Sequence, residues 1–127
     1  MRLLFDTHSF IWWVSAPNKL SPTVLAMCQD QANTLVLSVV SAWEIQIKSQ
    51  LSKLRLNISL ADIISNQQHN QLEILPINLT HILALDGLPM HHKDPFDRLL
   101  IAQANSEDAV LISHDAIFAQ YPVNVQW

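Results

Sequence analysis

The chain has 127 residues, 50% of them apolar and 14% charged, with one cysteine, one glycine and a formal charge of −4. This composition argues against disorder and supports one globular domain spanning residues 1–127, while the lone Gly87 excludes the glycine-rich phosphate loops of Walker and dinucleotide-binding proteins. Cys28 by itself makes neither an internal disulfide nor a thiolate metal site, which fits a reducing cytoplasm and a small buried hydrophobe.

In chain order, Arg2 to Phe5 is a short apolar run ended by Asp6, which predicts a buried strand with a carboxylate at its carboxyl end. A helical stretch over Phe10 to Ser15 follows, and Ser21-Pro22 supplies an N-cap and first-turn proline for a helix to about Ala32. Leu35 to Leu37 reads as a second strand. Val40 to Leu51 has helical periodicity, with Trp43, Ile47 and Leu51 four apart and Glu44 in its first turns.

Ser59 caps a helix from Leu60 to about Asn70, Leu72 to Ile77 suggests a third strand, and Thr80 to Leu85 another short helix. After the loop Gly87 to Lys93, Asp94-Pro95 opens a helix through about Ser106. Ala109 to Ile112 is a fourth strand and Val123 to Trp127 a terminal edge strand. Short strands alternating with helices specify an α/β sandwich around a mainly parallel sheet. The longest uninterrupted apolar run is Phe10 to Val14, so neither a secretory signal nor a membrane span is expected.

Ligands of open parallel sheets bind beyond the carboxyl ends of the strands. Asp6 and Asp115 each follow such an end, Glu44 enters from the helix after the second strand, and Asp94 and Asp97 start a later helix. Each has a simpler role available as a turn, cap or first-turn dipole partner. Their collection at one rim is what those roles leave unexplained. Carboxylates at close range repel unless cations neutralise them, and an all-oxygen donor set suits Mg²⁺ or Mn²⁺. Without these five, six acids face seven bases, so the negative charge does not argue against a nucleic-acid partner.

The strings Leu3-Leu4-Phe5-Asp6-Thr7-His8, Ser38-Val39-Val40-Ser41-Ala42-Trp43-Glu44-Ile45 and His92-Lys93-Asp94-Pro95-Phe96-Asp97-Arg98-Leu99-Leu100-Ile101-Ala102-Gln103-Ala104 resemble the PIN domain, and within it the VapC-type toxins of toxin–antitoxin pairs. The tail Leu111-Ile112-Ser113-His114-Asp115 is similar to the family's last acidic motif, and the resemblance spans essentially the whole chain. It implies a three-layer α/β/α sandwich and a cytoplasmic, metal-dependent endoribonuclease. Asp6, Glu44, Asp97 and Asp115 would bind Mg²⁺ or Mn²⁺, with Asp94 as a fifth member or only a helix cap. Thr7 and Ser113 match hydroxyl positions beside the acids, where they would hold a carboxylate or water. A homodimer, an RNA substrate and a cognate antitoxin protein are implied as partners, and no membrane.

Two departures stand out. Ser52 precedes Lys53-Leu54 where relatives often have glycine, and Glu107-Asp108-Ala109 precedes the fourth strand where a glycine is usual. Both lie in connections and bear on loop geometry, not on the acids. Arg98, Lys48 and Lys93 are the cations nearest the acids in sequence and are phosphate-contact candidates, with His92 a candidate substrate contact.

Two other classes stay open. Four of six histidines (His8, His91, His92 and His114) lie beside the acids, as in a His/Asp metal-dependent phosphohydrolase. On an extended backbone, a histidine next to an acid would point away from it. Trp12, Trp13 and Trp43 fit a non-catalytic interaction module with a decayed site, although at helical spacing such residues belong to the core.

Overall fold

The computed structural model describes residues 1–91 and 93–127. Strands β1 (Arg2–Phe5), β2 (Thr34–Ser38), β3 (Glu73–Leu75), β4 (Val110–Ile112) and β5 (Val125–Gln126) form an all-parallel sheet in the order β3-β2-β1-β4-β5. The connections carry helices α1 (Thr7–Ser15), α2 (Pro22–Gln29), α3 (Val39–Gln50), α4 (Leu60–His69), α5 (Leu79–Ala84) and α6 (Pro95–Ser106). Single 3₁₀ turns cover Pro17–Lys19, Leu85–Gly87 and Ala116–Gln120.

Strand side chains alternate between two cores, which makes the molecule a three-layer α/β/α sandwich. Leu3, Phe5, Leu37, Val110 and Ile112 pack with Phe10, Val24 and Ile45 on the side of α1, α2 and α4. Leu4, Val36 and Leu111 pack with Leu100, Ile101, Ala104 and Phe118 on the side of α6. Leu3, Leu4, Phe5 and Leu111 are fully buried, each stabilising the fold by about 1.5–3 kcal/mol. Cys28 is buried as expected, and burial pushes its thiol up to about 11, which makes it a poor nucleophile.

Three differences from the sequence expectation have physical causes. Helix α1 begins at Thr7 because the Asp6 carboxylate caps it, accepting from the Ser9 N–H at 2.8 Å. Helix α2 stops at Gln29 because Asp30 folds into a turn, its side chain accepting from the Ala32 N–H at 2.9 Å. Trp43 is 59% exposed, since α3 turns it outward against the edge of Phe96 at 5.2 Å between ring centroids. Among the described residues, no helix is long and apolar enough to cross a membrane.

Ser52 and Asp108, which lie in the two connections singled out in the sequence, carry positive backbone φ, 58° and 51°. A side chain in this left-handed region costs about 1–2 kcal/mol, somewhat less for aspartate. Ser52→Gly and Asp108→Gly are each expected to raise stability by about 0.5–1 kcal/mol, the relief of strain outweighing glycine's extra unfolded-state entropy. Thermal denaturation checks this, and a fall in Tm for both would contradict it.

Candidate functional site

The sheet order reverses direction between β1 and β4, so the loops leaving these neighbours diverge and open a crevice at their carboxyl ends. Phe5 sits in register with Ile112, and the Asp6 N–H donates to the Ile112 carbonyl at 3.0 Å, so the first strand's acid is locked at that switch point. Asp6 is buried. Its second carboxylate oxygen accepts from the Ser113 hydroxyl at 2.6 Å, and the same Ser113 oxygen accepts from the Asp115 N–H at 3.0 Å. One buried hydroxyl thus links the acids that follow β1 and β4. Asp115 in turn caps the next 3₁₀ turn, accepting from the Ile117 N–H at 3.0 Å.

Glu44 enters from α3. Its Oε1 accepts from the Thr7 hydroxyl at 2.6 Å and its Oε2 pairs with Lys48 Nζ at 2.8 Å. Thr7 itself is buried, so it fixes Glu44 against the start of α1. Asp94 caps α6 by accepting from the Phe96 and Asp97 N–H groups at 2.9 and 3.2 Å. Asp97 lies in the first turn of that helix.

Asp97 reports how the acids converge. Burial, then the charges of Asp94, Glu44, Asp6 and Asp115, push its carboxyl up from 3.8 to about 7. All four other acids therefore act on one half-buried carboxyl from four different elements. Among the described residues, no three His, Cys, Asp or Glu side chains are posed as a ready-made shell for one ion. The donor set nevertheless fits a hard divalent cation that keeps several waters: it is all oxygen, open to solvent at Asp115, and carries a repulsion that such an ion would relieve.

The cations expected at phosphate lie otherwise. The Arg98 guanidinium donates to the carbonyls of Pro89 at 2.7 Å and Leu85 at 3.5 Å, tying α6 to the preceding loop, and Lys48 is held by Glu44. Lys93 is exposed, and His92 lies outside the described residues. His114, which directly precedes Asp115, does not point away from it: His8 and His114 both line one cleft with Asp6 and Asp115. The alternation that would separate His114 from Asp115 lapses because the chain leaves the sheet after Ile112.

A buried polar network supports the rim and was not visible in the sequence. Ser38, which caps α3, donates its hydroxyl to Gln103 Oε1, and Gln103 Nε2 donates to the Pro76 carbonyl and to His81 Nδ1 at 3.2 and 3.3 Å. His81 Nε2–H reaches Glu107 at 3.0 Å, and Arg2 bridges Glu107 to Glu73. The His81 ring and then the Arg2 guanidinium hold the Glu107 carboxylate below its usual range. The members come from α3, α5, α6 and both ends of the sheet's first strands, so no local spacing announces them.

Comparison with known proteins bears on the family and the fold. A family model described as PIN domain matches residues 3–124. The fold is similar to a chain of VapBC2 from Rickettsia felis, solved bound to a DNA fragment from its promoter, with TM-score 0.74, 16% identity and coverage of 99% of this chain and 98% of that one. It is also similar to VapBC-1 from nontypeable Haemophilus influenzae, with TM-score 0.64, 18% identity and 99% and 97% coverage. FitAcB from Neisseria gonorrhoeae gives TM-score 0.60 and 16% identity over 97% and 95% of the two chains. No curated protein sequence matches the chain significantly.

Proposed function

Because the chain belongs to the PIN domain family, we propose that it is a metal-dependent endoribonuclease, the toxin of a toxin–antitoxin pair, that hydrolyses RNA phosphodiester bonds with water. The observation that carries this reading is the joining of Asp6 and Asp115 through the Ser113 hydroxyl at the switch point of the sheet, with Glu44 tied to Thr7 beside Asp6 and the charges of Asp94, Glu44, Asp6 and Asp115 all raising the Asp97 carboxyl. PIN domains are typically nucleases, and this rim supplies the carboxylates such chemistry needs.

Asp6, Glu44, Asp97 and Asp115 would hold Mg²⁺ or Mn²⁺, with Asp94 mainly capping α6. Bound there, a divalent ion lowers the pKa of water and offsets the phosphate charge. The protein's part is placement. Ser113 fixes Asp6 and the Asp115 backbone, Thr7 fixes Glu44, and the half-buried position of Asp97 strengthens its interaction with a cation. No side chain is required as nucleophile.

The test is cleavage of a structured RNA pool by the purified protein with Mg²⁺ or Mn²⁺, beside chelator, Asp6→Asn and Asp97→Asn. Cleavage that depends on the ion and on both acids is expected; cleavage surviving both substitutions would overturn the site. Activity restored by zinc alone would favour the His/Asp hydrolase reading.

An antitoxin partner is proposed because the similar folds come from VapBC and FitAcB assemblies. A groove of about 310 Å³ lined by Phe10, Ile11, Val14, Ile45, Leu60 and Ile63 offers such a partner an apolar seat. A homodimer is proposed from α5, where Leu79, Ile82 and Leu83 share one exposed helical face. Leu83→Glu is expected to convert a dimer to a monomer in sizing with light scattering, without lowering the monomer's helicity. An unchanged mass for the variant would remove this face as the interface.

A further inference from the structure

Beside the carboxylates lies a cleft of about 370 Å³ lined by Asp6, His8, Trp12, His114, Asp115 and Ala116. Its wall is a run of rings. His8 stacks on Trp12 with centroids 6.2 Å apart and planes at 24°, and Trp12 meets His114 at 6.3 Å. Trp127 closes the group, 5.6 Å from Trp12 and 5.1 Å from His114. The indoles are half-buried and packed against the core, whereas both imidazoles are exposed. The wall is therefore anchored, and its outer rings are open to an incoming flat group.

Phosphodiester hydrolysis by carboxylates and water has no use for these four rings. An apolar protein segment is a poor occupant as well, because the cleft floor carries Asp6 and Asp115. The fitting group is flat and aromatic, polar at its edges, and attached to a backbone whose phosphate lies at the acids. A nucleobase has all three properties, and the cleft is within the usual size range of small-molecule sites.

We infer that the His8–Trp12–His114 cleft is a base-stacking subsite for the nucleotide flanking the scissile phosphate, selecting unpaired over paired RNA. Only an unpaired base offers its face to such a wall. The inference rests on the nuclease reading for its substrate class.

The experiment uses the full chain carrying Asp97→Asn to suppress cleavage, with Mg²⁺ present. Fluorescence anisotropy measures binding of a mixed-sequence single-stranded RNA dodecamer, of an abasic ribose-phosphate dodecamer and of a blunt RNA duplex. The single strand is expected to bind tightest. Trp12→Leu, and separately the pair His8→Ala with His114→Ala, should weaken it about 5- to 100-fold while leaving the abasic probe unchanged. Trp12→Phe should restore most of the affinity, and thermal melts identify any variant that fails to fold.

Equal binding of base-bearing and abasic probes, equal weakening of both by the variants, or no effect of the variants overturns the subsite. Cleavage by the protein with native Asp97 is measured in parallel. If it cleaves RNA while the variants bind normally, the nuclease reading stands and the subsite falls. If base-dependent binding is lost in the variants but no RNA is cleaved, the cleft stands as a base-stacking RNA site and the nuclease reading falls.

Discussion

Asp97→Asn is expected to abolish most RNA cleavage and, in the metal-free protein above neutral pH, to raise stability. The first effect follows from the several kcal/mol of transition-state stabilisation that a correctly held ion provides, about 10²- to 10⁴-fold in rate. The second follows from the carboxyl's surroundings. Burial first, and then four neighbouring acids, move it from 3.8 to about 7 in the folded chain. Between these values the unfolded chain has released the proton and the folded chain keeps it, so stability falls as pH rises through the window.

Above pH 7 the full penalty is present, and asparagine removes it, by about 1–3 kcal/mol once partial solvation of the half-buried carboxyl is allowed for. Glu107 acts in the opposite sense and elsewhere. Its carboxylate is held below 4.5, so its contribution is present above that value and is lost as pH falls below it. The difference between Asp97→Asn and the unsubstituted protein at each pH therefore isolates Asp97. Thermal melts from pH 4 to 8 in chelator should show the two curves diverging upward. Added Mg²⁺ should raise Tm more for the native sequence than for the variant. A variant less stable than the native chain at pH 8 without metal would mean that the acids do not converge as described.

Much of this site was legible in the sequence because strand ends are legible. The apolar runs ending at Phe5 and Ile112 place Asp6 and Asp115 just beyond the sheet, and Asp94-Pro95 marks the start of α6 at the residue where it begins. The dual role of Asp6 was less visible. Its carboxylate both lines the cleft and caps α1, so the residue that ends the first strand also starts the next helix. Pattern also misplaced Trp43, whose four-residue spacing with Ile47 and Leu51 suggests a core face, whereas α3 leaves it exposed beside Phe96. Periodicity states that a face exists; which face meets the sheet is decided by packing. The links farthest from legibility span the chain: Ser113 to Asp6, 107 residues apart, and Ser38 to Gln103, 65 apart.

His81→Ala is expected to destabilise the fold by about 3–5 kcal/mol, the other large effect. The ring is fully buried, so its removal leaves a cavity. It also strands three partners at once. Nδ1 accepts from the Asn78 N–H at 3.2 Å and from Gln103 Nε2 at 3.3 Å, and Nε2–H reaches Glu107 at 3.0 Å. Each buried donor left unmade costs about 1–3 kcal/mol, though relaxation toward Glu107, which is partly solvated, recovers some of this. For a chain of this length Tm should fall on the order of 10 °C or more. His81→Gln supplies a side-chain oxygen that can return to the Asn78 N–H and complete the α5 cap, so it should recover about half the loss. A loss below about 1 kcal/mol for His81→Ala would show that the network is dispensable. Because Gln103 passes the constraint on to Ser38 at the cap of α3, the alanine variant should also loosen Glu44. Cleavage well below the lowered Tm should then fall modestly in kcat while KM stays near its native value, a split that simple loss of folded protein would not produce.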